Sequence, residues 1–335
     1  MRQTLVQLLR TIKENHEFSL VDVGSMGGIE SEWEELVDHI RVIGFEPDKR
    51  QFAKLQSTDR ILYLNNIVSS RSESIRFNVS RDPGKSSIFE PNRGFLDEFP
   101  NADRYDIVDT VEFGADLVDS LDNILEKNEI DDVDFLKIDT QGSELAVLQG
   151  SEECIDDSLL GLKVEVEFVE IYKKQPLFHD VDQFLRGRAF NLIDIRRAFW
   201  KRNDFADYNG RGQLIFGDAL YFKDIDSFID SIEGRSPDFI ESKIYKFIIV
   251  ALRYGMLDYA FRILLRAQER SLIARDQALL VRSAISNDRL LSRGKRLVRG
   301  FRGAYRAYTL LGLLQNVFTR SYTGWADGDE YLGNK

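Results

Sequence analysis

Apolar residues in the first two-thirds of the chain come in short runs, and stretches of helical spacing separate them. Leu5, Leu8, Leu9 and Ile12 lie three or four apart and predict an opening helix. FSLVDVGSMGG then reads as a buried strand running into a glycine turn. A helix over 32–40, the strand RVIGFEP, the helix DKRQFAKLQ and the strand RILYLNNIV continue the alternation. Strand–helix alternation of this kind predicts a parallel sheet with crossover helices, an α/β doubly wound domain.

Residues 71–112 break this rhythm. SIRFNVS and TVEF read as strands around RDPGKSSIFEPNRG, which predicts an insertion projecting from the sheet. The alternation resumes with the helix VDSLDNILEKN, the strand DFLKID, the helix SELAVLQG and the strand LKVEVEF. The helix DVDQFLRGRA and the strand FNLIDIR follow, and GQLIFGDALYF closes the pattern as an edge strand or hairpin. From 225 onward only helical spacing remains, with a hairpin turning at Tyr254 and Gly255. The predicted organisation is a catalytic α/β domain over 1–224, a helical C-terminal extension over 225–322 and a flexible, glycine-containing tail over 323–335.

The overall charge of −11 argues against a general nucleic-acid binder. It is unevenly spread: residues 289–320 hold eight Lys and Arg and no acid, which leaves −19 on the rest of the chain. At helical spacing Leu297, Phe301, Tyr305, Tyr308 and Leu311 share a face that arginines flank. Such a stripe suits peripheral contact with an anionic membrane, or docking on the acidic remainder or on a second copy of the chain. One cysteine, Cys154, permits no internal disulfide and fits a reducing, cytoplasmic setting. The N-terminus lacks the apolar core of a signal peptide, and no run is long enough to span a membrane.

Two turns carry the first chemistry. The strand ending Asp22-Val23-Gly24-Ser25-Met26-Gly27-Gly28 offers glycines where a ligand must approach the backbone. A carboxylate there would repel a pyrophosphate but suit the ammonium of S-adenosylmethionine (SAM), so Asp22, Gly24 and Gly28 are read as a SAM loop. The second strand ends Gly44-Phe45-Glu46-Pro47, roughly twenty residues on, where an acid accepts the ribose hydroxyls. A nicotinamide-dependent oxidoreductase on the same fold, and a non-catalytic SAM-binding interaction protein, stay open as alternatives.

By DFLKIDTQGSELAVLQG the sequence resembles the FkbM family of SAM-dependent methyltransferases. The matching pieces VDVGSMGG, GFEPD, NNIVSS, PGKSSIFEPN, VDSLDNIL, DFLKIDTQGSE, VEVEF, QPLFHDVDQFLR and GQLIFGDALYF occur in order over about 19–222. The resemblance implies a Rossmann-like class I methyltransferase fold, SAM as methyl donor, Asn66 and Ile67 against its adenine, and a hydroxyl acceptor on a sugar, lipid-linked glycan or natural product. Met26 and Gln141 depart from the common family form, which has Asn and Glu at these places.

Removing the acceptor's proton needs a base. Asp139, ending the fourth parallel strand, is the first candidate, with helix capping as its structural alternative. Glu144 lies in the first turn of the next helix. Glu165 and Glu167 share one side of LKVEVEF, and Glu167, nearer the strand's C-terminal end, is the better candidate of the two. His179 is a further base candidate. Ser86, Ser87 and Asn92 in the insertion either meet the acceptor or shape a turn. Asp139 and Glu167 are compatible with a Mg²⁺ that orients the acceptor, but no histidine–carboxylate spacing points to a metal, and none is predicted.

Overall fold

The computed structural model describes residues 2–13, 16–205, 210–279, 281–283 and 324–333. Its centre is an eight-stranded sheet. The strands are β1 (Phe18–Val23), β2 (Ile40–Phe45), β3 (Ile61–Leu64), β4 (Phe135–Ile138), β5 (Gly161–Glu167), β6 (Phe190–Trp200), β7 (Gln213–Lys223) and β8 (Ala326–Gly328). They lie in the order β8-β6-β7-β5-β4-β1-β2-β3. The strands from β3 to β5 pair in parallel, and β7 runs antiparallel to both β5 and β6. The order reverses at β1, between β2 and β4, so the crevice beyond the C-terminal ends of these strands is the natural ligand site of a doubly wound sheet.

Each apolar strand is covered on both faces, and its two-residue period divides it between two cores. Phe18, Leu20, Val42 and Phe135 pack against one set of helices, while Val21, Val23, Ile43 and Leu136 pack against the other. The second face carries Leu121–Lys127, Glu144–Gln149, Glu152–Asp157 and Phe178–Arg186. The first carries Arg2–Thr11 together with Ile225–Ile232, Pro237–Arg253 and Leu257–Glu269. The described helices after 225 therefore complete the sheet's own core. Their hairpin turns at Tyr254 and Gly255, as the spacing predicts, with Gly255 at φ +69°.

Ser236 caps Pro237–Arg253, accepting from Phe239 N, and proline occupies its first turn, where no amide hydrogen is needed. Lys243 and Lys246 on this helix pair with Asp132 and Asp134 at the opposite, N-terminal edge of the sheet.

Of the two alternatives for GQLIFGDALYF the hairpin holds: β7 pairs antiparallel with β6 and lies between β5 and β6, so it is not an edge strand. One placement differs from the sequence expectations. The expected flexible tail is docked instead: β8 extends the sheet along β6, Trp325 packs on Trp200, and Leu332 is buried. Arg197 and Arg211 pair with Asp327 and Asp329 to hold it. This short segment lacks an apolar period, so only its partners reveal the strand. The basic segment 289–320 lies outside the described residues. No helix among those described is long and apolar enough to cross a membrane.

The insertion forms an antiparallel ribbon, Ile75–Ser80 with Ile107–Phe113. Its intervening segment carries the short turn Pro83–Lys85 back over the C-terminal ends of the parallel strands.

Candidate active site

A cleft of about 310 Å³ opens at the switch point, within the range of small-molecule sites (~300–1,000 Å³). Val23 and Gly24 from β1, Phe45, Glu46 and Pro47 from β2, and Asp139 to Gln141 after β4 form its floor. Asn66, Ile67 and Val68 line one side; Phe77, residues 82–86 and Ile88 of the insertion roof it, and Glu165 and Phe216 close it from β5 and β7.

Gly24 is fixed by geometry. Its φ is +88°, and an added Cβ would collide with the Asp139 carbonyl oxygen. The backbones after β1 and β4 thus meet, and Asp139 N donates to Val23 O at 2.9 Å. Glu46 stands at the end of β2 with 5% of its surface exposed. Its Oε1 accepts from Asp48 N at 2.8 Å. Burial pushes its carboxyl up to about 7, against that amide's opposing pull. Asn65, which precedes the Asn66 and Ile67 expected at the adenine, holds this turn by donating to Glu46 O at 2.7 Å and Pro47 O at 3.0 Å.

Gly24, Glu46, Pro47, Asn66 and Ile67 line the cleft; Asp22 and Gly28 do not. Asp22 faces the neighbouring strand, where the register sets it beside Lys137. The Lys137 ammonium lies 3.0 Å from Asp22 Oδ1 and donates to Gly24 O at 2.6 Å. Burial raises the Asp22 carboxyl to about 6 despite that ammonium. Asp22 therefore braces the glycine turn from behind, and the charge argument that favoured SAM over a dinucleotide no longer rests on it.

Among the catalytic candidates, Asp139 lines the cleft and Glu144, Glu167 and His179 do not. Glu144 is a turn brace: its carboxylate accepts from Thr140 N at 2.8 Å, Thr140 Oγ1 at 3.0 Å and Gly142 N at 3.0 Å. Burial lifts it to about 7. Glu167 is 2% exposed and lies behind the lining, and burial and the nearby Glu144 and Asp139 charges raise its carboxyl well above the usual range. His179 is exposed at the surface, 3.3 Å from Asp180. In its place Glu165, the other member of the alternating pair, reaches the cleft. Proximity to the strand end is a poor guide here: Glu167 is buried with Gln175 as a hydrogen-bond partner and does not line the cleft. Of the insertion's polar residues, Ser86 lines the cleft, Ser87 Oγ donates to Gln141 O at 2.7 Å, and Asn92 Nδ2 donates to Glu170 O at 2.9 Å.

Gln141 Nε2 donates to Asp139 Oδ1 at 3.0 Å and to Glu165 Oε2 at 2.6 Å. Burial opposes the charge on Asp139, but Lys137, Gln141 and Lys85 outweigh it and hold that carboxyl below its ordinary value. Glu165 moves the other way, raised well above 4.5 by burial and by the charges of Asp139 and Glu167. Oxygens of Asp139, Glu144 and Glu165 lie within 4.8 Å of one another, close enough to share a cation. The donor set suits protons better. Glu144 is committed to its turn, and an amide N–H donor already spans the other two.

The sequence matches the family model described as Methyltransferase FkbM domain over residues 22–192. No curated protein matches the chain. Among solved structures it is similar to methyltransferase FkbM from Methylobacillus flagellatus KT, with 14% identity over 66% of this chain and 58% of that one, and a TM-score of 0.33. It is also similar to precorrin-6y C5,15-methyltransferase from Geobacter metallireducens GS-15, with 9% identity over 66% and 87% of the two chains and a TM-score of 0.32. A third is magnesium protoporphyrin IX methyltransferase from Synechocystis PCC 6803 with bound SAM, with 8% identity over 66% and 79% and a TM-score of 0.31.

Proposed function

The chain belongs to the FkbM methyltransferase family, with a Rossmann-like class I fold, and on that premise we propose that it moves the methyl group of SAM to a hydroxyl oxygen, on a sugar, a lipid-linked glycan or a natural product. The observation that carries this reading is the pairing in one cleft of a nucleoside-type acid, Glu46, with a charged carboxylate at the end of β4, Asp139. Glu46 would accept the ribose hydroxyls, Gly24 would give the methionine end access to the backbone, and Asn66 and Ile67 would flank the adenine. Burial raises Glu46 and Glu165, so the charged lining residues are chiefly Asp82 and Asp139 against Lys85, still a negative balance, which suits a cationic donor better than a dinucleotide pyrophosphate.

Bound there, SAM supplies an electrophilic methyl carbon, and its S–C bonding pair leaves on sulfur. Asp139 orients the acceptor hydroxyl and takes its proton, and the apolar lining of Phe77, Ile88 and Phe216 keeps water from competing. Asp139→Asn keeps the shape and removes the basicity. It should lower kcat by roughly 10²–10⁴ while SAM binding is retained.

The experiment combines calorimetry of SAM and S-adenosylhomocysteine (SAH) binding with transfer of labelled methyl to a panel of sugars, lipid-linked glycans and hydroxylated small molecules. Saturable SAH binding together with an alkali-stable methyl ether in the product supports the reading. A methyl ester or methylamine product would replace the hydroxyl by another acceptor. Failure to bind SAM or SAH would remove the donor assignment.

A further inference from the structure

Gln141, which lines the cleft, holds a backbone shape that a non-glycine residue rarely adopts, φ +57°. Such a residue persists where its surroundings over-determine it, and its side chain shows how. Both amide N–H groups are used, one on Asp139 and one on Glu165. Its Oε1 faces the Lys85 ammonium at 3.3 Å and the Tyr172 hydroxyl at 3.1 Å. With acids on one side and donors on the other, the amide fits in one orientation only. Its own carbonyl accepts from Ser87 of the insertion. A half-buried and a buried carboxyl group thus meet on one neutral amide; Lys85 is hydrogen-bonded to that amide, and Lys137, which also acts on Asp139, is paired with Asp22. Two carboxylates bridged by one neutral amide, one of them buried, repel each other's charge, and the more buried one holds its proton longer.

We propose that Glu165 and Gln141 complete the catalytic centre around Asp139: Gln141 is the positioning residue that clamps the two carboxyl groups together, Glu165 keeps a proton, and Asp139 keeps the single negative charge that faces the donor's sulfonium. The inference rests on the SAM reading above. It gives separate roles to two acids of the same cleft, and it gives the glutamine at position 141 a reason: a third carboxylate there would add charge where two already compete.

Glu165 is faced by Asp139 and Gln141 from the loop after β4 and by Lys85 from the insertion. Asp218, itself bonded to Arg196, faces it from β7, and Glu167 follows on its own strand. Tyr105 and Tyr172 feel its charge too, but burial raises both phenols, so they stay protonated throughout the range used below.

The test needs no acceptor. SAM and SAH share every group except the methyl, which makes the sulfur of SAM cationic and that of SAH neutral, so the ratio of their affinities reports the charge beside the sulfur. Titration of Glu46 at the ribose affects both ligands alike and cancels. Calorimetry on the full chain, carried upward from about pH 6 as far as the protein stays folded, should show the preference for SAM over SAH growing by about tenfold or more as Glu165 loses its proton and the centre gains a second charge.

Glu165→Gln, which keeps shape and hydrogen bonding, should leave the ratio flat over the same range. Gln141→Ala, which removes both donors to the carboxyl pair, should move the rise to higher pH. A flat ratio in the parent protein, with both ligands bound, would overturn the proposal and leave the SAM reading standing. A pH-dependent ratio that survives Glu165→Gln would also overturn it, placing the titration on Glu144 or Glu167. An unmoved midpoint in Gln141→Ala would remove the clamp. No binding of either ligand at any pH would instead strike the SAM reading itself.

Discussion

Glu46 is the residue at which burial and ligand binding pull against each other. Its carboxyl, pushed up to about 7, is largely protonated below neutrality, yet the ribose hydroxyls need an acceptor. Ligand binding should therefore strengthen as pH rises. If only the ionised form binds, a group with its pKa near 7 makes SAM and SAH bind about tenfold more weakly at pH 6 than at pH 8. Glu46→Gln should flatten this dependence, and Glu46→Ala should weaken binding by roughly tenfold or more at pH 8. Unchanged affinity in the alanine variant, with the fold intact, would exclude Glu46 from the site. The stability effect has the opposite sign. Because the folded pKa exceeds the unfolded one, the native state binds the extra proton, and stability falls as pH rises through about 7. That Glu46 lines the cleft could be read from the sequence, because an acid directly after a buried strand has few other places to be. Asp22 has the same signature and a different role. What separates them is Lys137, more than a hundred positions away, and only the β1–β4 register brings it alongside. The choice between Glu165 and Glu167 was hidden for the same reason: alternation puts both on one side, and only the partners from elsewhere in the chain, Gln141 for Glu165 and Gln175 for Glu167, separate them.

At the scale of elements, the apolar runs located the parallel strands well, because a strand buried on both faces has little freedom in composition. Helices were harder to bound. DKRQFAKLQ narrows to Lys49–Phe52, whose cap Asp48 accepts from Arg50 N at 2.9 Å, while Arg50 donates onward to Ser80 O at 2.9 Å in the insertion. Tertiary partners, more than local spacing, set its length. The same holds for Pro237–Arg253, in which Lys243 and Lys246 are almost wholly buried. Two lysines interrupt the apolar pattern, and they are tolerated because Asp132 and Asp134 neutralise them, with Ser158 O accepting from Lys243 at 2.9 Å and Asp134 Oδ2 accepting from Ser19 N at 2.9 Å. Lys243→Met would leave buried carboxylates short of a cation, a change that typically costs about 3–5 kcal/mol. A fall in melting temperature at neutral pH that narrows in acid checks this. Lys243 and Lys246 hold Asp132 below its ordinary pKa despite burial, so the pair's contribution is present above the unfolded carboxylate pKa and is lost as pH falls through the lower, folded one.

For the whole molecule, the decisive fact is that the change to purely helical sequence at 225 is not a boundary in the core. The sheet face made by Phe18, Leu20, Val42 and Phe135 is covered by Pro237–Arg253, with Trp33 and Tyr254 closing on Phe135 at ring separations of 5.0 and 5.5 Å. Twelve of the seventeen residues of that helix are buried, so it covers the sheet on one side and the remaining C-terminal helices on the other. Burying one large apolar side chain contributes roughly 1.5–3 kcal/mol, and a whole domain is stable by only about 5–15 kcal/mol. Exposing half a dozen of the residues on this face would cost about 9–18 kcal/mol, as much as that whole margin. A fragment covering residues 1–224 should therefore lack a cooperative thermal transition, bind a hydrophobic dye and fail to bind SAH, although it contains every residue lining the cleft. The distant helices then matter to the site through the sheet: Lys137 and Asp22 lie on the same face as Phe135 and Leu20, and they hold the glycine turn from beneath. Heat-capacity scans and SAH calorimetry on the fragment and the full chain decide the matter. A fragment that melts cooperatively and binds SAH with the full chain's affinity would show that the first 224 residues fold alone, and that the helices after 225 are an appendage.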